Sequence, residues 1–195
     1  TAPAALFDAD AVGSAIAALP ASTFDAVGAG AATGGPKAVN LTAIAQGGKP
    51  ELLYVGAEYC PFCAAERWAM VAALSRFGSF ANLTATHSAT EDVFADTLTK
   101  EQNAILNETG ETGIPLLDFG GKYLISGATY DPGVLAERNG AGIATLMADP
   151  TSPIAQSVIG AANGITVAIC GMTNNQPAAV CNSPGVQAAR TALGL

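Results

Sequence analysis

Two cysteines separated by two residues, Cys60-Pro61-Phe62-Cys63, stand where an apolar segment gives way to a helical pattern. Residues 51–57 predict a buried strand, and residues 64–77 predict a helix. A helix N-terminus carries unpaired N–H groups and a partial positive charge, which favour a thiolate over a thiol. A cysteine with a pKa of about 8.5 is only about 3 % thiolate at pH 7, whereas a pKa of about 6 would give about 90 %. The order of strand, dithiol and helix therefore predicts thiol–disulfide exchange.

Two other uses of the motif stay open from the residues alone. A zinc site would need further ligands, but the other two cysteines, Cys170 and Cys181, form no second closely spaced pair, and the only histidine is His87. A static disulfide within the motif would be an exposed staple without a redox role. Pro61 suits the first position of a helix, because its missing N–H group would have no partner there. We favour redox chemistry over both alternatives.

Composition limits the classes of partner. Half of the 195 residues are hydrophobic and 12 % are charged, so the chain can bury a sizeable core. The net charge is −8 with only 8 Lys plus Arg, which leaves no basic surface for a phosphate backbone. We therefore expect no nucleic-acid partner.

The four cysteines favour an oxidising compartment, in which Cys170 and Cys181 would form a structural disulfide. The chain begins at Thr1, and we expect no apolar run as long as a membrane span. These features predict an extracytoplasmic protein, secreted or held in the cell envelope, from which an export signal or membrane anchor has been removed. A cytosolic location stays open if the second pair is reduced.

Two parts of the chain are predicted. Residues 1–37 form an N-terminal arm, with a short helix over residues 8–19 and a Gly-rich loop around a short segment at 24–27. Residues 38–195 form the main domain, which ends in a helical, disulfide-closed segment from about residue 150.

The main domain alternates strands and helices in the order β-α-β-α-β-β-α. Thr99 and Gln102 match a capping box at the start of a helix over residues 99–108, and Gly120-Gly121 predicts the turn of a hairpin. The other predicted elements are strands at residues 38–41 and 83–87 and helices at residues 133–148 and 154–169.

This order, with a dithiol after the first well-defined strand, resembles the thioredoxin superfamily. Ile114-Pro115, just before the hairpin, matches the X-Pro pair that in this superfamily has a cis bond and lies against the dithiol. The segment Glu58-Tyr59-Cys60-Pro61-Phe62-Cys63-Ala64-Ala65-Glu66-Arg67-Trp68 also resembles an exported thioredoxin-like family catalogued as a domain of unknown function. The resemblance implies a thioredoxin-like α/β fold with an N-terminal extension and a C-terminal helical segment.

The resemblance also implies roles at the motif. Cys60 would be the accessible thiol of low pKa that forms a mixed disulfide with a partner, and Cys63 would be the buried thiol that resolves it. The residues expected to position the partner's extended chain are Ile114, Pro115, Pro61 and Phe62.

The proton relay departs from the thioredoxin pattern. Thioredoxin has a buried Asp six residues before its first cysteine, and this position is Tyr54 here. Glu58 is the candidate relay, although a surface charge, solvated or paired with Arg67, is the alternative. Glu66 is expected to be structural.

We expect a thiol:disulfide oxidoreductase that needs no metal or organic cofactor, because its electrons reside in the dithiol. Its partners would be protein or peptide thiols and disulfides, together with a membrane redox protein. The dipeptide Pro61-Phe62 resembles the Pro-Tyr of glutaredoxins (about −200 to −230 mV) more than the Gly-Pro of thioredoxin (about −270 mV), which favours disulfide formation or isomerisation. A thioredoxin-type reductase, and a non-enzymatic binding or envelope protein with a static disulfide, stay open.

Overall fold

The computed structural model describes residues 9–79 and 98–195. In these two stretches it is a mixed α/β protein with a four-stranded antiparallel sheet, a separate two-stranded hairpin and eight α-helices. The strands are β1 (Lys37–Ala38), β2 (Ala45–Gln46), β3 (Lys49–Pro50), β4 (Leu52–Val55), β5 (Leu116–Phe119) and β6 (Tyr123–Ser126). The helices are α1 (Ala9–Ala17), α2 (Ala21–Val27), α3 (Pro61–Leu74), α4 (Lys100–Thr109), α5 (Gly140–Met147), α6 (Pro153–Met172), α7 (Ala178–Cys181) and α8 (Pro184–Leu193). The predicted strand at residues 83–87, with His87, lies outside the described residues.

The main sheet has the strand order β1-β6-β5-β4, and each neighbouring pair is antiparallel. The β5–β6 hairpin turns at Gly120 and Gly121, whose φ angles are 60° and 70°. The Lys122 N–H donates to the Phe119 carbonyl at 3.2 Å and closes a turn around these two residues. Gly adopts positive φ at both positions without a Cβ penalty. The hairpin predicted from these two glycines is confirmed.

Helix α6 runs through the core. Its residues 158–170 are all buried, and it packs against α2, α3, α5 and α8. It is the one described helix that is long and apolar enough to cross a membrane, with a mean hydropathy of 1.5, and 89 % of that window is buried inside the fold. The expectation that no run reaches this length is wrong. Polar residues such as Gln156, Asn163 and Thr166 interrupt the helix, but its mean hydropathy is still high enough for a membrane span.

The buried face of α3 consists mostly of small side chains. The larger apolar side chains Met70, Leu74 and Phe77 are only partly buried. Helix α3 lies against α6, and a close approach of two helices favours small residues at the contact. The buried residues of α3 are Cys63, Ala65, Glu66, Ala69, Ala72 and Ala73.

The N-terminal arm contains one helix that the sequence predicted and one that it did not. The helix expected at residues 8–19 is present as α1, whereas the expected loop around residues 24–27 is helix α2, with Phe24 buried. The Asn163 side chain of α6 donates to the carbonyls of Phe24 and Gly28, at 2.8 Å each. These bonds satisfy carbonyls at the end of α2, so a tertiary contact stabilises a helix that composition disfavours.

Helix α4 begins as predicted. The Thr99 hydroxyl accepts a hydrogen bond from the Gln102 backbone N–H at 3.2 Å, and the Gln102 side-chain oxygen accepts from the Thr99 N–H at 2.9 Å. This reciprocal pair is the predicted capping box. The Gln102 amide also donates to the Glu51 carboxylate at 2.7 Å, which joins α4 to the residue before β4.

Residues 133–148 form two elements rather than the single predicted helix. A 3-10 turn spans Pro132–Leu135, and α5 follows after a short break. Glu137 has a φ of 60°, which interrupts helical geometry. The Asn139 side chain then caps α5 by accepting from the Gly142 N–H at 2.8 Å.

A disulfide closes the C-terminal segment, as predicted. Cys170 near the end of α6 is bonded to Cys181 of α7, with 5.7 Å between their Cα atoms. The tail that follows forms α8, which the sequence did not predict and which buries Val186. Gly185 permits its approach to α2, because a Cβ there would overlap the Phe24 carbonyl oxygen.

We expect the double variant Cys170→Ser/Cys181→Ser to fold with a free energy of unfolding lowered by about 2–3 kcal/mol, because the bond closes a short loop in the unfolded chain. Urea unfolding of both proteins measures this difference. The disulfide exchange that the sequence predicts for the Cys60–Cys63 pair should stay nearly intact. Loss of exchange in a folded double variant would contradict a purely structural role and would indicate a second redox centre.

Candidate functional site

The dithiol forms the first turn of α3. Cys60 is the N-cap residue, with extended backbone angles, and its Sγ accepts a hydrogen bond from the Cys63 N–H at 3.2 Å. Pro61 occupies the first helical position, as its chemistry predicts. The helix therefore begins three residues before the predicted start at residue 64. Sulfur takes the place that a hydroxyl or carboxylate oxygen has in an ordinary N-cap, so negative charge on Cys60 would face a helix N-terminus.

Both cysteines are free thiols with little exposure. Cys60 is 8 % exposed and Cys63 is 0 % exposed. Cys60 is the more exposed of the two, as predicted, but it is far less accessible than the sequence suggested. Burial raises the pKa of Cys63, and hydrogen bonding with the Cys60 thiol raises it further, whereas the backbone of Ala57 and the Tyr54 hydroxyl lower it.

Two exposed aromatic side chains flank Cys60. Tyr59 is 75 % exposed and Phe62 is 51 % exposed, and they are the exposed large hydrophobic residues of the described chain. Exposed aromatic side chains next to a buried reactive group commonly mark an interaction surface. The sequence singled out Phe62 through the motif but not Tyr59, although its place directly before Cys60 was a signal.

Tyr54 reaches from β4 to the dithiol. Its hydroxyl donates to the carbonyl oxygen of Cys63 at 3.5 Å, near the outer limit of a hydrogen bond. Gly56 makes this possible, because a Cβ at that position would overlap the Tyr54 phenol. The sequence identified Tyr54 only as a departure from the thioredoxin pattern, and the structure places it beside the cysteines.

Glu58 is paired with Arg67. Its Oε1 lies 2.7 Å from Nη1 of Arg67, and both side chains are about one-quarter exposed. Its Oε2 is buried and has no hydrogen-bond partner within the described residues. The structure thus shows the ion pair that the sequence left as the alternative, and a proton-relay role for Glu58 stays a prediction.

The Ile114–Pro115 peptide bond is cis, as predicted. Pro115 is buried and Ile114 is half-buried. Leu116, the next residue, lies opposite Val55 in the β4–β5 register. Since β4 ends at Val55 and the chain then runs directly to the dithiol, the proline and the start of α3 lie toward the same end of the sheet.

Glu66 is a buried carboxyl group one turn beyond Cys63. It is 0 % exposed, and it accepts hydrogen bonds from the backbone N–H and the hydroxyl of Thr129, each at 2.9 Å from Oε2. Burial raises the pKa of Glu66, and the two bonds from Thr129 oppose this rise. Glu66 thus joins α3 to the chain that follows β6, which agrees with the structural role expected for it. No sequence signal identified Thr129 as its partner.

One protein family matches the part of the chain that contains the dithiol. Residues 37–105 match a family described as a domain of unknown function (DUF929). The matched span contains β4, the dithiol and α3, and it is less than half of the chain. No curated protein and no solved structure gave a match. The match relates the dithiol segment to a family without an assigned activity.

The buried Glu66 should make stability depend on pH. Its folded-state pKa lies above the ordinary glutamate value of 4.5, so its contribution to stability is present below that pH and is lost as pH rises through the folded-state pKa. Urea unfolding of the wild type and of Glu66→Gln from acidic to neutral pH measures this effect. The free energy of unfolding of the variant, relative to that of the wild type, should increase as pH rises above about 4.5.

The exposed glutamate of α4 provides the control, because Glu101→Gln also removes one carboxylate but changes no buried contact. Parallel pH curves for the wild type and Glu66→Gln would contradict a pKa raised by burial.

Proposed function

We propose that this protein is a thiol:disulfide oxidoreductase that acts outside the cytoplasm through Cys60 and Cys63. The observation that carries the proposal is the N-cap geometry, in which the Cys63 N–H points at the Cys60 sulfur at 3.2 Å. A thiolate at this position gains a hydrogen bond and the helix dipole together. The same geometry brings the two sulfurs into one helical turn, close enough in sequence to form a small disulfide ring.

The reaction is a pair of balanced exchanges. The Cys60 thiolate attacks one sulfur of a partner disulfide, so a Cys60–partner bond forms and the other partner sulfur leaves as a thiolate and takes a proton. Cys63 then attacks the Cys60 sulfur, the intramolecular disulfide forms, and the partner leaves as its second thiol. The partner gains two electrons and the dithiol loses two. The reverse sequence forms disulfides in partner proteins.

A thioredoxin-like fold is proposed for the frame around this site. Three features support it: helix α3 follows β4 directly, β4 pairs antiparallel with β5, and a cis-proline precedes β5. The β5–β6 hairpin completes the antiparallel part of such a sheet.

The exposed aromatic pair supports a polypeptide as the substrate. Tyr59 and Phe62 present apolar surface on both sides of Cys60, which is little exposed itself. An extended segment with apolar side chains next to its cysteine would cover this surface and carry its sulfur to Cys60. Ile114 and Pro115 are proposed to position the backbone of that segment.

The Cys170–Cys181 disulfide supports an oxidising compartment, because structural disulfides persist there and are rare in the cytosol. Disulfide formation or isomerisation is the proposed direction, on the likeness of Pro61-Phe62 to the glutaredoxin dipeptide. A membrane redox protein would then restore the oxidised dithiol.

A non-enzymatic binding protein is the second candidate, and the 8 % exposure of Cys60 is the observation that favours it. An aromatic pair beside a buried, inert dithiol could bind a partner without exchanging electrons with it. Trapping of covalent intermediates separates the two candidates.

We expect Cys63→Ser to accumulate a mixed disulfide when it is mixed with a cysteine-containing peptide disulfide, because the resolving thiol is missing. Non-reducing electrophoresis and mass spectrometry measure the adduct and locate it on Cys60. Cys60→Ser is the matched control and should accumulate little or none. Equal trapping by the two variants would refute the assigned roles, and the absence of any adduct in Cys63→Ser would favour the binding protein.

A further inference from the structure

The phenol of Tyr54 is held over the first turn of α3 by the local chain. The hydroxyl is 3.5 Å from the Cys63 carbonyl oxygen. The missing side chain of Gly56 leaves the space that the phenol fills. Tyr54 and Gly56 flank the last residue of β4, so the strand itself sets the position of the ring.

The hydrogen bond to the carbonyl is long, so the hydroxyl proton is not firmly held by it. A hydroxyl hydrogen rotates to the better acceptor, and a thiolate on Cys63 would be that acceptor. The Cys63 sulfur is completely buried and needs a donor when it ionises.

The phenol is suited to donate rather than to accept a proton. Burial raises the pKa of Tyr54 well above its usual value, and the neighbouring Cys63 raises it further, whereas Arg67 lowers it. The ionisable side chains that act on Tyr54 are Cys63, Arg67 and Cys60. A group of this kind stays protonated over the working range of a thiol enzyme.

We infer that the Tyr54 hydroxyl is a hydrogen-bond donor to the sulfur of Cys63 during resolution of the mixed disulfide, which deepens and rests on the proposed function. It occupies the place where thioredoxin has a buried carboxylate, but its chemistry differs. A carboxylate takes the proton of the resolving thiol, whereas the phenol keeps its own proton and stabilises the thiolate.

The proton that Cys63 loses in the resolving step therefore ends on the partner's sulfur and not on Tyr54. Cys63 loses a proton and its thiolate, hydrogen-bonded by Tyr54, attacks the Cys60 sulfur. The Cys60–Cys63 bond forms, the Cys60–partner bond breaks, and the electron pair leaves on the partner sulfur. That sulfur takes the proton, so Cys63 thiol and mixed disulfide become intramolecular disulfide and partner thiol without a protein base.

Titration of Cys63 in the Cys60→Ser background tests the donor directly. The ultraviolet absorbance of the thiolate and the rate of alkylation, both in buffer without denaturant, measure the thiolate fraction. Adding Tyr54→Phe should lower the thiolate fraction of Cys63 at a given pH by about 10- to 100-fold, since a hydrogen bond to a charged group contributes about 1.5–3 kcal/mol. Gly56→Ala should act in the same direction, because its Cβ displaces the phenol.

Tyr130→Phe is the matched control. Tyr130 is also a buried tyrosine, and its hydroxyl donates to the carbonyl of Ala65 on the same helix. This variant should leave the thiolate fraction of Cys63 unchanged, which separates loss of the donor from loosening of α3. An unchanged thiolate fraction in both Tyr54→Phe and Gly56→Ala would overturn the inference.

The kinetic arm uses the intact dithiol. Tyr54→Phe should slow release of the mixed disulfide by about tenfold. It should leave the formation rate unchanged, because the phenol hydroxyl lies against Cys63, which reacts only in the release step. Failure of the wild type to form any mixed disulfide would refute the proposed function, while the titration would still decide whether Tyr54 is the donor.

Discussion

Packing of α3 against the buried helix α6 is the constraint on which the rest of the structure depends. Helix α6 contributes no charged side chain, and its buried length is surrounded by α2, α3, α5 and α8. The alanine-rich face of α3 permits this close contact, and the N-terminus of α3 is thereby fixed next to the end of β4. The dithiol lies at that junction, so its geometry follows from core packing rather than from a flexible loop.

The polar groups around the start of α3 are held by hydrogen bonds at the dithiol and one turn further along the helix. Cys60 accepts from the backbone of Cys63, Tyr54 approaches Cys63 from the strand, and Glu66 is held by Thr129 one turn deeper. These hydrogen bonds restrict the conformation of the site, because breaking one would leave a buried polar group unpaired at a cost in free energy. The exposed surface beside Cys60 is aromatic instead. The site therefore combines a rigid, polar interior with an apolar face toward solvent.

The sequence predicted what local chemistry determines. Pro61 at a helix start, the Thr99–Gln102 capping box, the Gly120-Gly121 turn and the Cys170–Cys181 bond each depend on a few neighbouring residues. Helices α2 and α8 were missed because Asn163 and Gly185 stabilise or permit them through contacts distant in sequence. The contact of Tyr54 with Cys63 was missed for a related reason. It needs the space above Gly56, which no pattern of spacing reveals.

Equilibration of the Cys60–Cys63 pair with glutathione buffers tests the central claim most directly. The account predicts a reversible equilibrium with a reduction potential in the range of about −270 to −120 mV spanned by exchange-active dithiols. A value below about −300 mV, typical of structural disulfides, would contradict it. So would a dithiol that forms no intramolecular disulfide in any buffer.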